Sequence, residues 1–139
     1  MKQGSSSLIY PAWLVAIVAT LGSLYFSEIR HFVPCTLCWY QRILMYPLVL
    51  ILGVASFTQD AKVVRYALPL SALGILVSGY HILVERIPGF GHGVCSSGVP
   101  CSLKYIDWLG FITIPTLAFV AFIMITVMPT LVARRSAAR

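Results

Sequence analysis

Pro34-Cys35-Thr36-Leu37-Cys38-Trp39-Tyr40-Gln41-Arg42 leads without a break into an apolar run that ends at Phe57. Because two residues separate Cys35 from Cys38, a helix starting here puts both sulfurs on one side of a single turn. There a disulfide can form and open with little backbone movement. Proline is favourable at a first helical position, so Pro34 is expected to place Cys35 in the opening turn, where free amides and the helix dipole favour an anion. The thiolate is the reactive form of cysteine. Arg42 follows Cys38 by four residues, on the same helical face. An arginine one turn into an apolar helix calls for a partner: a thiolate, a ligand carbonyl oxygen or interfacial water. The plainer reading has it snorkelling to the headgroups.

The rest of the chain decides where such a pair sits. At 139 residues, 59% apolar and 10% charged, with mean hydropathy +0.89, it has too little polar surface for a water-soluble domain of this size. The apolar residues gather at Tyr10 to Phe26, Trp39 to Phe57, Tyr66 to Val84 and Trp108 to Val132. Each approaches the roughly 20 helical residues that cross a bilayer core. The expected fold is therefore an all-α membrane protein, a four-transmembrane-helix bundle forming one integral membrane domain over 1–139. No repeat or long linker divides it. The first stretch follows Lys2 as a signal peptide would, but its exit, Ser27-Glu28-Ile29-Arg30-His31, has no small-x-small cleavage site, so a retained span is expected.

Net charge is +6, which by itself is compatible with nucleic acid. Its placement argues otherwise. Lys2, Lys62, Arg65, Arg134, Arg135 and Arg139 fall at the termini and the second connection, which four spans put on one side; Arg30, Arg86 and Lys104 fall on the other, with Arg42 just inside the second span. The positive-inside rule then expects both termini in the cytoplasm of a multi-pass cell-membrane protein. The remaining cysteines, Cys95 and Cys101, lie between the third and fourth spans. Both pairs are thereby extracytoplasmic, where disulfides persist. The loop from Glu85 to Asp107 is rich in glycine and proline, which reads as irregular and mobile, and a Cys95–Cys101 disulfide would close a small exposed ring. The other connection, Thr58 to Arg65, reads as a simple turn.

Inside the spans, Ala12, Ala16, Ala19 and Ser23, and again Ser71, Gly74 and Ser78, repeat at helical spacing. Such stripes let helices approach closely in lipid. Pro115 sits near the start of the fourth span, and Pro47 is expected to bend the second. Trp13, Trp39 and Trp108 lie near span ends and read as interfacial anchors.

Taken in order, Cys35-x-x-Cys38-x-x-x-Arg42 opening the second span, a cysteine pair between the third and fourth, and Asp107-Trp108-Leu109-Gly110 with Pro115 resemble the DsbB family of membrane thiol:quinone oxidoreductases. The small size and short loop are most similar to its Gram-positive BdbC-type branch, although the loop cysteines are closer together than in the best-known pattern. The resemblance covers nearly the whole chain. It implies a disulfide-bond formation enzyme with two redox disulfides, Cys35–Cys38 and Cys95–Cys101, with Arg42 at the cofactor. The implied cofactor is a membrane quinone, menaquinone or ubiquinone. The implied partner is an extracytoplasmic thioredoxin-like oxidase of the DsbA/BdbD type, which attacks Cys95; Cys101 then attacks Cys35 and frees Cys38 to reduce the quinone. Beyond that oxidase, membrane lipid is the only other partner expected, and no nucleic acid. His81 does not fall on the quinone-associated histidine of some relatives and reads as an ordinary polar residue near a helix end.

Two readings from other classes compete. Four cysteines with His92 can bind zinc or copper, since thiolate and imidazole suit both, but an oxidising compartment favours disulfides and the second spacing is unlike common zinc motifs. A membrane scaffold with structural disulfides leaves Arg42 unexplained. Vitamin K epoxide reductase relatives carry the two pairs in the opposite order.

Overall fold

Each apolar stretch forms one long helix in the computed structural model, which describes residues 3–90, 93–95, 100–101 and 107–138. Helix α1 covers Gln3–Leu24 and runs on through a π-helical turn at Tyr25–Ile29; α2 covers Thr36–Thr58, α3 Val64–Arg86 and α4 Ile114–Ala137. Four helical segments, Leu8–Ile29, Thr36–Thr58, Val64–Arg86 and Ile114–Arg135, are long and apolar enough to cross a membrane. No strand forms among the described residues beyond a single bridge pair, Trp108 with Ile112.

The helices pack in cyclic order, α1 on α2, α2 on α3, α3 on α4 and α4 on α1, so α2 and α4 are diagonal. Small residues permit this closeness. Ala12, Ala16, Ser71 and Ser78 are fully buried, and the Ser78 hydroxyl returns its hydrogen bond to the Gly74 carbonyl at 2.6 Å, which satisfies that hydroxyl within its own helix. Gly74 gives the Phe122 ring its place, because a Cβ there would run into that ring. Met45, Leu48, Leu52, Phe122 and Ile125 complete the central core. The outward faces stay apolar and uncovered: Leu50 is 73% and Phe57 78% exposed, as lipid-facing side chains are.

The two ends differ. Ile9, Ala55, Val64 and Val132 close the end where the α2–α3 turn lies, and Cys35, Leu37, Val84 and Cys101 close the other. The α2–α3 connection is a tight turn: Gln59 adopts the left-handed conformation, Asp60 accepts from the Lys62 amide at 2.9 Å, and a short 3₁₀ segment leads into α3.

Three expectations change. Trp13 is no interfacial anchor; it is wedged against Gly53, whose missing side chain makes the notch, and its ring meets Phe57 edge-on at 5.4 Å. Trp39 and Trp108 are about half exposed, as interfacial rings are. The fourth helix begins at Ile114, because Trp108 and Ile112 exchange backbone hydrogen bonds of 2.9 Å around Leu109 and Gly110, both at positive φ. Arg86 braces that turn by donating to the Gly110 and Phe111 carbonyls at 3.2 and 3.3 Å, and Thr113 donates to Glu85 at 2.8 Å. Within the loop disulfide, Cys101 is buried, only 2% exposed, where an exposed ring was expected; residues 96–99 of that ring lie outside the described residues. His92 and Lys104, with most of the loop around the second pair, lie outside the described residues.

Candidate thiol redox site

Cys35 is the N-cap of α2, with extended backbone, φ −76° and ψ 176°. It stands one residue before the helix, not inside its first turn, since a residue followed by its own helix start keeps non-helical dihedrals while its carbonyl takes the first bond. That bond comes from the Trp39 amide at 3.1 Å. Cys38, in the first turn, holds its sulfur 3.3 Å from that of Cys35; both are free thiols. Cys95 and Cys101 are joined.

Two side chains assigned no role from the sequence, His81 and Gln41, complete the site. His81 of α3 is 2% exposed and Gln41 of α2 is 6% exposed, which corrects the reading of His81 as an ordinary helix-end residue. His81 Nε2 lies 3.1 Å from the Cys101 carbonyl oxygen and 3.7 Å from Cys35 Sγ, and its Nδ1 lies 2.9 Å from Gln41 Nε2. A carbonyl only accepts, so Nε2 carries the proton; Nδ1 then accepts from the Gln41 amide. A polar residue within a membrane helix without an obvious partner is itself a functional signal, and Gln41 and His81 both qualify. What the sequence lacks is the pairing across 40 residues.

The hydrogen bond with Cys38, reinforced by His81 and opposed by burial, holds the Cys35 thiol well below the ordinary cysteine range. The sulfurs of Cys35 and Cys38 and a His81 ring nitrogen all lie within 4.8 Å of one another, a set that suits a thiophilic metal. His92, the histidine the sequence offered for such a set, lies outside the described residues.

Cys38, packed against the cluster that holds Cys101, also lines a half-open groove of about 540 Å³ between α1, α2 and α4. Phe26, Val18, Met45, Leu117 and Ala121 make its walls, and Gln41 and Arg42 stand beside Cys38. Arg42 donates to the Ser23 carbonyl of α1 at 3.0 Å, with its guanidinium 5.3 Å from the Trp39 ring centre. Its protein partner is therefore a main-chain oxygen just before the π-helical turn, a distortion that loosens the regular ladder and recurs at functional sites. Phe32, stacked on Phe26 at 5.9 Å, closes the groove with Val33 and Pro34.

A bundle of four membrane-length helices with two cysteine pairs gathered at one end defines a membrane dithiol protein. Residues 5–132 match the family model of the disulfide bond formation protein DsbB, and the chain belongs to that family, whose work in disulfide formation is oxidoreductase chemistry. It is 60% identical to disulfide bond formation protein C of Bacillus subtilis (strain 168) over 86% of this chain and 87% of that one. Similarity to a probable disulfide formation protein C of Halalkalibacterium halodurans is 47% over 96% and 98%, and to a probable disulfide formation protein of Coxiella burnetii 48% over 85% and 82%. No solved structure matches the chain.

Proposed function

We propose that the protein takes electrons from the dithiol of an extracytoplasmic thioredoxin-like oxidase and passes them through Cys95–Cys101 and then Cys35–Cys38 to a membrane quinone. The carrying observation is the junction that the inner pair makes: Cys35 and Cys38 both pack in the cluster that holds Cys101, and Cys38 also lines the apolar groove. One sulfur is suited to receive electrons from the loop and the other to deliver them. Each transfer between cysteine pairs is thiolate attack through a mixed disulfide; in the last, Cys35 and Cys38 close their disulfide as two electrons and two protons pass to the quinone.

The groove suits a quinone: it is of ligand size and mostly apolar, with Cys38, Gln41, Arg42, Ser23 and Tyr46 as the polar residues in its lining. A bound quinone supplies a two-electron, two-proton sink. Arg42 offers the cation that orients a ring oxygen, Cys38 the electron pair, and the apolar walls exclude water. The end carrying the cysteines faces outward and both termini are cytoplasmic, a reading supported by Lys62, Arg65, Arg134 and Arg135 at the opposite end.

The test is a coupled assay in detergent with a reduced thioredoxin-like oxidase and a quinone, read by quinone absorbance. Turnover that disappears in Cys38→Ser supports the proposal; no turnover in the unaltered protein sinks it. A metal-site reading rests on the Cys35, Cys38 and His81 cluster. Elemental analysis decides it: one tightly bound zinc or copper per purified chain would favour that class.

A further inference from the structure

Of the buried polar groups, His81 touches both cysteine pairs at once. Its single Nε2–H lies between the Cys101 carbonyl at 3.1 Å and the Cys35 sulfur at 3.7 Å, and Gln41 fixes the tautomer from the far side of the ring at 2.9 Å. The Cys35 and Cys38 sulfurs lie 3.3 Å apart beside it, and Cys95 is joined to Cys101.

We infer that His81 stabilises the Cys35 sulfur as the leaving group when the two pairs separate, and holds Cys101 in place for that step. The inference rests on the relay proposed above. In the step, the Cys95 thiolate attacks Cys101 Sγ of a Cys101–Cys35 mixed disulfide. The Cys95–Cys101 bond forms, the Cys101–Cys35 bond breaks, and the electron pair leaves on Cys35. No external oxidant or reductant is needed, because one thiolate and one disulfide become one disulfide and one thiolate. The departing sulfur is buried, so its charge cannot be met by water, and an unmet buried charge is costly. Two donors are in reach, the Cys38 thiol at 3.3 Å and the His81 N–H at 3.7 Å, and of these His81 also holds the Cys101 carbonyl. As Cys35 leaves, the shared hydrogen bond shifts toward the sulfur while the Cys101 carbonyl stays close. The low proton affinity of Cys35, to which His81 contributes after Cys38, agrees with that role, since a less basic thiolate leaves faster. Gln41 is the positioning residue: by donating to Nδ1 it prevents the tautomer that would aim a lone pair at the sulfur.

The experiment compares His81→Leu, His81→Gln and Gln41→Leu in the full-length protein in detergent. Glutathione buffers read the redox equilibrium of the Cys35–Cys38 pair, and acid-quenched peptide mapping reads the Cys35–Cys101 linkage during turnover. His81→Leu is expected to favour the inner disulfide by roughly three- to tenfold, the size of one hydrogen bond, which lowers its potential by up to about 30 mV. It should also accumulate the Cys35–Cys101 species. His81→Gln, which keeps an N–H near Nε2, should restore both, and Gln41→Leu should move both in the direction of His81→Leu. A purely structural histidine predicts no rescue by glutamine and no displacement of the potential. If His81→Leu does not fold, Gln41→Leu and His81→Gln carry the test, and an unmoved potential in Gln41→Leu overturns the inference. A separate protein, Cys38→Ser with Cys95→Ser, retains only Cys35 and Cys101. If oxidised glutathione cannot join them, the relay itself is wrong; if it joins them and the His81 and Gln41 variants match the unaltered protein, only the role of His81 falls.

Discussion

Arg42 and Cys35 show how single side chains divide the work. Arg42 already has a main-chain acceptor in Ser23, so replacing it removes both a tie between α1 and α2 and the cation of the groove. Arg42→Ala is expected to raise the apparent KM for quinone about tenfold or more, given the roughly 1.5–3 kcal/mol of hydrogen bonds to charged groups, while non-reducing mass spectrometry finds the cysteine bonds unchanged. Arg42→Lys should recover only part, because a point charge on a flexible stem does not reproduce the planar fork. An unchanged KM in Arg42→Ala removes it from the quinone site. For Cys35 the pH sign follows from the lowered thiol: the deprotonated form is the charged one, so a depressed value means the thiolate persists as pH falls. With the inner pair reduced, thiolate ultraviolet absorbance should therefore survive well below the ordinary thiol midpoint of about 8.5 and vanish only in acid. Loss of the whole signal near that midpoint would contradict the hydrogen bonds from Cys38 and His81.

At the scale of elements, the α3–α4 contact turns on the absence of one methyl group. Gly74 faces the Phe122 ring so closely that a Cβ has no room, and Phe122 is fully buried. Gly74→Ala is expected to cost about 1–3 kcal/mol through overpacking, read as a lower unfolding midpoint in detergent, and Phe122→Leu in the same chain should relieve part of it. No loss in Gly74→Ala would mean the two helices can slide apart freely. This contact was legible beforehand as the Ser71, Gly74 and Ser78 stripe, since small residues at helical spacing have few other uses in a lipid-facing helix. The four helices were legible for the same kind of reason, a composition that only a bilayer accommodates. The Trp108 to Thr113 segment was not: its apolar residues look like the start of a span, and hydropathy is blind to the positive φ of Leu109 and Gly110 that turns the chain. Cys35, Cys38 and Arg42 could be singled out from spacing on one helix. His81 could not, because its meaning depends on α2 and α3 bringing Gln41 and Cys35 to it, and no one-dimensional period records that.

Across the whole molecule, the two cysteine pairs meet in a graded order of access. Cys95 is half-buried, Cys101 is almost fully enclosed beside Cys35, Leu37 and Val84, and Cys38, packed against the same cluster, lines the groove. In the proposed relay a partner's thiolate would therefore meet Cys95 as the more accessible target, and the sulfur released by that attack, Cys101, is packed with the inner pair. Cys101→Ser expressed with the partner oxidase is expected to accumulate a reducible adduct through Cys95, because the thiol that would carry the electrons inward is gone. Cys95→Ser should trap little, since the remaining sulfur is shielded. Cys38→Ser should still capture the partner yet fail to reduce quinone, because Cys35 has no neighbour to complete the inner pair. Non-reducing gels and peptide mapping read the adducts, and quinone absorbance reads the last variant. An adduct through Cys101 in Cys95→Ser, as abundant as the one through Cys95, would mean that the loop undocks before the partner binds and that the burial of Cys101 does not set the order. If neither variant traps a partner and both sustain quinone reduction, the loop pair is a brace and the electrons enter by another route.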